Sequence, residues 1–182
     1  MEHIEDVFMI TLNPDEPDSR WKQYEHISEI TRFNAINSKT TDLQTFLKQH
    51  DFKLVLKCGF PHYQRCTGAP GCFLSHYYLW EKIALNNSKL NPWYLILEDD
   101  VDPQNVSDFL SNRLIFNWSK YSKYELINLN CRNVIWNGSE AYLIRPSAAR
   151  KLIKHCNRTI SAPMDMFLFK KGIYHLIYTP LK

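Results

Sequence analysis

Short apolar runs that end in turn or acidic residues alternate along this chain with stretches whose apolar residues recur at helical spacing. Val7-Phe8-Met9-Ile10-Thr11-Leu12 closes at Asn13-Pro14 and reads as a first buried strand. From Asp18 to Ile30, Trp21, Tyr24, Ile27 and, less strictly, Ile30 follow helical spacing, and a second strand is expected around Arg32 to Ile36, giving a βαβ opening. Asp42 to Gln49 reads as a short helix, while Lys53-Leu54-Val55-Leu56-Lys57 fits either strand or loop. Turn residues over Cys66 to Gly71 then lead into a helix from Cys72 to Leu85, whose stripe is Phe73, Tyr77, Trp80 and Ala84.

The second half repeats the alternation. Trp93-Tyr94-Leu95-Ile96-Leu97 is apolar throughout, as expected of a parallel strand buried on both faces. A helix over Val106 to Phe116 and strands over Tyr124 to Leu129 and Ala141 to Ile144 follow. The next helix is introduced by Arg145-Pro146-Ser147, with Ser147 as N-cap, and runs to about Cys156. A last helix over Met164 to Lys171, stopped by Gly172, and a final strand over Ile173 to Tyr178 complete the pattern. It predicts an α/β fold: one three-layer, Rossmann-like domain over residues 1–182 with a mostly parallel central sheet.

Composition narrows the function classes. At 182 residues, with 45% hydrophobic and 14% aromatic content, the chain has enough apolar mass for one packed core. A formal charge of +3, from 22 basic and 19 acidic side chains, is too small to point to nucleic acid. No run approaches the roughly 20 apolar residues of a membrane span, and Met1-Glu2-His3-Ile4-Glu5-Asp6 does not resemble a secretory signal, so a soluble cytoplasmic protein is expected. The five cysteines show neither CxxC pairs nor His-rich metal spacing, which makes reduced thiols the default and zinc unexpected.

The densest chemistry lies where the fourth apolar run ends, at Glu98-Asp99-Asp100-Val101-Asp102, with four carboxylates in five residues. The carboxyl edge of a parallel sheet is where open α/β proteins bind ligands. A divalent cation on hard oxygen ligands relieves such repulsion and can hold a diphosphate; a solvated strand exit is the plain alternative. Upstream, Gly68-Ala69-Pro70-Gly71 precedes a helix whose free N–H groups suit a phosphate, although one Gly-x-x-Gly is also simply a turn.

Several segments, in their order, resemble the glycosyltransferase 25 family, which includes bacterial lipooligosaccharide galactosyltransferases and the collagen hydroxylysine galactosyltransferase domains. They are Phe8-Met9-Ile10-Thr11-Leu12-Asn13 with Arg20, Phe33-Asn34-Ala35-Ile36-Asn37, Gly71-Cys72-Phe73-Leu74-Ser75-His76 followed by Trp80-Glu81-Lys82, Leu97-Glu98-Asp99-Asp100-Val101, Ala141-Tyr142-Leu143-Ile144 with Ala148-Ala149, and Pro163-Met164-Asp165. The Gly-Cys-x-x-Ser-His block is the most specific of them, and together they span nearly the whole chain.

The resemblance implies a GT-A-like fold and inverting transfer of a sugar, most often galactose, from a UDP-sugar to a glycan or glycoprotein hydroxyl. It implies Mn2+ or Mg2+ at the acidic strand exit, where Glu98 and Asp99 meet the donor. Asp100 is favoured as the metal ligand, with Asp102 its competitor. Thr11, Leu12 and Asn13 are expected at the base and ribose, Arg20 at the diphosphate, and Asn37 at base or ribose. Gly71, Ser75 and His76 are placed near the donor anion, His76 either touching donor or metal or ordering the acids. Cys72 is read as a packed thiol beside the site, because inverting transfer needs no covalent intermediate.

Asp165 is the candidate base for the acceptor hydroxyl, with a helix-terminal acid or a donor-sugar contact as its other readings. The stretch from Cys131 to Glu140 is short for an acceptor loop in this family, so a smaller acceptor surface, or one completed by another chain, is expected, with Trp136 a possible stacking residue. Two other classes fit the same acids: an inactive nucleotide-sugar-binding or scaffold protein, and a metal-dependent phosphoryl-transfer enzyme.

Overall fold

The computed structural model describes residues 3–13, 15–55, 68–113, 118–129 and 139–169. Five strands form the main sheet: β1 (Ile4–Thr11), β2 (Ile30–Asn34), β4 (Trp93–Glu98), β5 (Leu126–Asn128) and β6 (Ala141–Ile144), in the order β2-β1-β4-β6-β5. β2, β1 and β4 are mutually parallel, and β6 runs antiparallel to both β4 and β5. A second, two-stranded parallel sheet pairs β3 (Lys53–Leu54) with β7 (Thr159–Ile160).

The helices are α1 (Leu43–Gln49), α2 (Ala69–Ala84), α3 (Pro103–Asn112), α4 (Trp118–Tyr121), α5 (Pro146–Cys156) and α6 (Met164–Phe169). Strand alternation sorts the apolar side chains into two cores. Phe8, Ile10, Tyr94, Ile96, Tyr142 and Ile144 cluster with Phe73, Leu74, Tyr77 and Trp80 of α2, Leu152 of α5 and Phe167 of α6. Val7, Met9, Trp93, Leu95, Leu97 and Leu143 cluster on the opposite face with Tyr24, Ile27, Val106, Leu110 and Tyr121. Each fully buried side chain of this size contributes about 1.5–3 kcal/mol of transfer free energy, which explains why β4, central and covered on both faces, is apolar up to its last residue. The expected α/β architecture with a mostly parallel sheet is what forms.

Several boundaries differ from the sequence reading. The helix expected from Asp18 to Ile30 is a single 3-10 turn, Arg20–Gln23, followed by further turns. Successive bonds Tyr24 N–H to Trp21 O, Ile27 N–H to Tyr24 O and Ile30 N–H to Ile27 O span three residues each. The apolar spacing of Trp21, Tyr24, Ile27 and Ile30 has a period of three, which suits such turns better than a 3.6-residue helix.

α2 begins at Ala69, three residues early, because Pro70 is tolerated in a first turn where no N–H partner is required. α3 likewise starts at Pro103, with Asp102 as N-cap. Ser147 is not the cap of α5: Arg145 holds that position without a side-chain bond, and the Asn91 side-chain Oδ1 accepts from Ser147 N–H at 3.1 Å instead. The strand expected from Ile173 to Tyr178, the end of the last helix at Gly172, and Trp136 lie outside the described residues. Among the described residues no helix is long and apolar enough to cross a membrane.

Candidate functional site

The carboxyl ends of the three parallel strands open on one pocket of about 230 Å³, many times the roughly 30 Å³ share of one water and therefore room for an organic ligand. Leu12 after β1, Ala35 to Lys39 after β2, and Glu98 and Asp99 at the end of β4 line it, facing Gly68, Cys72, Ser75 and His76 of α2 and its lead-in. This is the edge at which parallel strands leave their N–H and C=O groups and side chains facing a crevice.

Asp99 ties the β1 and β4 exits together. Its Oδ2 accepts from the Thr11 hydroxyl at 2.7 Å and from Leu12 N–H at 3.3 Å. Arg20 Nη1 stands 3.5 Å from Asp99 Oδ1, and with its side chain 62% exposed the pair is worth at most about 1 kcal/mol. Arg20 is thus held beside the pocket by an acid without being consumed by it.

The Tyr24 hydroxyl donates to the carbonyl of Val101, bracing the acidic turn from below. Burial first, then Asp99, Asp100 and Asp102, push its phenol up to about 12, so it remains a donor. Asp102 Oδ1 accepts Gln104 N–H at 2.8 Å and is engaged as the α3 cap. The Asp100 carboxyl is raised by partial burial and then by Glu98 and Glu140, which Arg20 offsets only in part. Of the two acids expected at a metal, Asp100 has uncompensated negative charge around it and Asp102 serves a helix.

Below the acids runs a buried chain of hydrogen bonds. Trp80 Nε1–H donates to the Tyr142 oxygen at 2.9 Å, which leaves the phenol hydrogen for His76 Nδ1 at 2.8 Å. His76 Nε2 then carries the ring proton and donates to Glu98 Oε1 at 3.1 Å, where the Ser139 hydroxyl also donates at 2.6 Å. Burial would raise the Glu98 carboxyl, but His76 and Ser139 outweigh it and hold the group below the ordinary carboxylate range. Tyr142, wholly buried, is pushed far up and stays neutral. The sequence motif containing Ser75-His76 therefore serves to aim Glu98.

The first turns of α2 are packed against the β2 exit. A Cβ on Gly71 would lie 2.3 Å from the Ile36 carbonyl oxygen and 3.0 Å from Ser38 N. The Ser75 hydroxyl accepts from Ile36 N–H at 2.8 Å and donates to the Gly71 carbonyl at 2.7 Å. Gly71 is needed for close approach, and Gly68, the residue at the start of α2, lines the pocket.

Cys72, one turn before His76, has its thiol raised by burial first and then by Glu98 and Asp165, so it stays protonated. Asp165 opens α6 and is raised by burial first, with Glu98 adding to the effect. It belongs electrostatically to the same acidic neighbourhood.

A family model described as glycosyltransferase family 25 (LPS biosynthesis protein) matches residues 6–129, more than half of the chain. The chain belongs to glycosyltransferase family 25. A protein of Aedes aegypti described as a glycosyltransferase 25 family member is 30% identical over 105 residues, covering 54% of this chain and 16% of that protein. The chain thus spans about a sixth of that relative's length.

The candidate site residues that the sequence indicates fall into three groups. Leu12, Asn37, Ser75, His76, Glu98 and Asp99 line the pocket, and Thr11 and Arg20 touch Asp99. Gly71, Asp100, Asp102 and Asp165 are not among its lining residues: Gly71 spaces α2 from the β2 exit, Asp102 caps α3, and Asp100 and the α6 acid Asp165 are coupled through charge to Glu98. Asn13, exposed with φ of 46°, shapes the turn after β1, a backbone state that Asn adopts more easily than most residues.

Tyr24, Lys39, Ser139 and Tyr142 also stand at the site, beyond those the sequence indicates. Tyr142 carried a readable signal, since β-strand alternation puts it on the α2 side of β6. Ser139 and Lys39 sit in loops whose path no periodicity reports.

Proposed function

We propose that this family 25 chain is an inverting, metal-assisted glycosyltransferase of GT-A-like, single-domain architecture, moving a sugar, galactose by preference, from a UDP-sugar to a glycan or glycoprotein hydroxyl. The observation that carries the reading is the pocket at the β1, β2 and β4 exits with Asp99 bridging two of them and Arg20 beside it.

In this reading the pocket floor by Leu12, Ala35 and Ile36 takes the nucleoside, and Asn37, whose Oδ1 accepts Lys39 N–H at 3.0 Å, fixes the loop around it. Arg20 offers its planar pair of donors to the diphosphate. Mn2+ or Mg2+ suits the hard oxygen donors here: Asp100 would hold it, with the Asp102 oxygen not used in capping beside it. Such an ion supplies neutralisation of the departing diphosphate. Glu98, kept ionised by His76 and Ser139, fixes the floor on which the donor sugar rests.

Asp165 acts as the base. Its carboxylate takes the proton of the acceptor hydroxyl; the freed oxygen pair forms the new bond to the anomeric carbon from the face opposite the diphosphate, and the carbon–oxygen bond to UDP breaks with its electron pair. A base raised above the usual carboxylate range is a stronger proton acceptor for that step.

The test is a panel of nucleotide sugars in a thermal-shift assay with and without Mn2+, followed by turnover measurement. The expected result is stabilisation by a UDP-sugar that grows with Mn2+, as for any ligand binding only the folded state, and sugar transfer lost in Asp100→Ala. Binding without turnover across a broad acceptor panel would favour the nucleotide-sugar-binding scaffold. Nucleotide hydrolysis independent of any sugar would favour a phosphoryl-transfer enzyme.

A further inference from the structure

Cys72, His76 and Glu98 offer one ligand atom each within 4.8 Å of one another. The first two are one helical turn apart on α2, and Glu98 reaches them from the end of β4. All three line the pocket. We propose that they form a second metal site, selective for a thiophilic divalent ion such as Zn2+ and distinct in donor chemistry from the oxygen-rich rim at Asp100.

The geometry is close to what zinc requires. Bond lengths of about 2.0–2.1 Å to nitrogen and 2.0–2.2 Å to oxygen, at a tetrahedral angle, place those two atoms about 3.4 Å apart. His76 Nε2 and Glu98 Oε1 are already 3.1 Å apart, joined by a proton that an ion would replace. The 4.8 Å limit on the sulfur asks for a movement of about 1.2 Å at most to reach the separation of about 3.6 Å that a zinc–sulfur bond of about 2.3 Å sets.

Supporting groups are in place. Tyr142 oxygen sits on His76 Nδ1 and Ser139 donates to Glu98, the kind of outer contacts that fix ligand orientation. All three residues line the pocket, so a fourth ligand would come from that side. Thiolate and imidazole select borderline and soft ions, whereas carboxylates alone select Mn2+ or Mg2+, so the two sites discriminate by donor type.

Binding balances as a proton exchange. The Cys72 S–H bond breaks and its proton leaves to solvent as the sulfur–metal bond forms; the His76 ring proton moves from Nε2 to Nδ1, and the Tyr142 hydroxyl turns its hydrogen away from Nδ1 so that its oxygen accepts from Nδ1–H as well as from Trp80. Nothing is oxidised or reduced. If the pocket takes the nucleotide sugar, a consequence that rests on the proposed function, zinc on its floor blocks donor binding.

The test is titration of the full chain, reduced, with Co2+ as a spectroscopic stand-in. Expected are a near-ultraviolet thiolate-to-cobalt band and intense visible bands of a four-coordinate ion, saturating at one equivalent and erased by Zn2+. The bands should vanish in Cys72→Ser and persist in Cys156→Ser, the other free thiol among the described residues.

Calorimetry in buffers of different ionisation enthalpy should report about one proton released per Zn2+, with affinity falling at least about tenfold in Cys72→Ser. Bands that survive in Cys72→Ser, or their absence from folded wild type, would overturn the site. Because the cobalt readout needs no nucleotide, cobalt binding without nucleotide-sugar binding sinks only the donor reading. Donor binding without a thiolate band sinks only this one.

Discussion

The Tyr142 hydroxyl lies 2.8 Å from His76 Nδ1, with both side chains fully enclosed, and it is the link through which a strand on one side of the site sets the tautomer of a helix residue on the other. Replacing the tyrosine with phenylalanine keeps the volume nearly unchanged and removes two hydrogen bonds at once. Trp80 Nε1–H and His76 Nδ1 are then buried without partners, at about 1–3 kcal/mol for a group so stranded. With two such groups, about 2–6 kcal/mol together, Tyr142→Phe should therefore lower the melting temperature by about 4–24 °C, using roughly 2–4 °C per kcal/mol for a chain of this size. Thermal unfolding followed by circular dichroism checks it; an unchanged midpoint would mean that water replaces the phenol.

The same chain gives stability a pH dependence. Glu98 sits below its ordinary value of 4.5 in the folded protein, so in acid the unfolded chain binds a proton that the native one refuses. Stability then rises with pH across that window, and the contribution is complete above the ordinary value and lost as pH falls through the depressed one. In Glu98→Gln this proton is absent from both states. The variant should be less stable at neutral pH, because an ionised acceptor of two hydrogen bonds is gone, yet should lose less further stability between about pH 5 and pH 3. Urea unfolding at several pH values separates the slopes; parallel slopes would remove Glu98 from the acid response.

What could be read from the chain follows from which forces act locally. Apolar runs with turn residues after them identified β1, β4 and β6, because burial on both faces leaves an unambiguous composition. Glu98 and Asp99 are legible as candidate site residues for the same reason: they are the first polar positions where β4 ends. The segment from Asp18 to Ile30 reads as a helix because apolar side chains three apart satisfy both a helix and a chain of 3-10 turns, and tertiary contacts of Tyr24 and Ile27 with the sheet decide between them. Glycines at 68 and 71 look alike in sequence, yet only one faces another backbone. The His76–Tyr142 pairing spans 66 positions and has no local signature.

That difference between the two glycines is measurable. Gly71→Ala places a methyl group 2.3 Å from the Ile36 carbonyl oxygen, a contact with backbone that no rotamer relieves. The β2 exit must move, which should cost about 1–3 kcal/mol in overpacking and weaken any ligand held by Asn37. Gly68→Ala meets nothing within 4 Å and already has a helical φ of −76°, so it should change stability by no more than about 0.5 kcal/mol. Urea midpoints for the pair, with ligand-induced thermal shifts, make the comparison; equal effects would contradict the packing role of Gly71.

Asp165 gives the sharpest kinetic expectation. Burial, with Glu98 nearby, raises its carboxyl above the usual range, and only the ionised form can accept a proton. Under the proposed transfer, the rate should climb with pH through that raised value and level off above it, so the acid limb lies at higher pH than an exposed aspartate would give. Asp165→Asn keeps the size and removes the base. Its kcat should fall by about 10²–10⁴-fold while the donor KM changes little, and the acid limb should disappear from what activity is left. A donor KM that rises with kcat preserved would instead make Asp165 a contact to the donor sugar, and the base would then have to be sought elsewhere around the pocket.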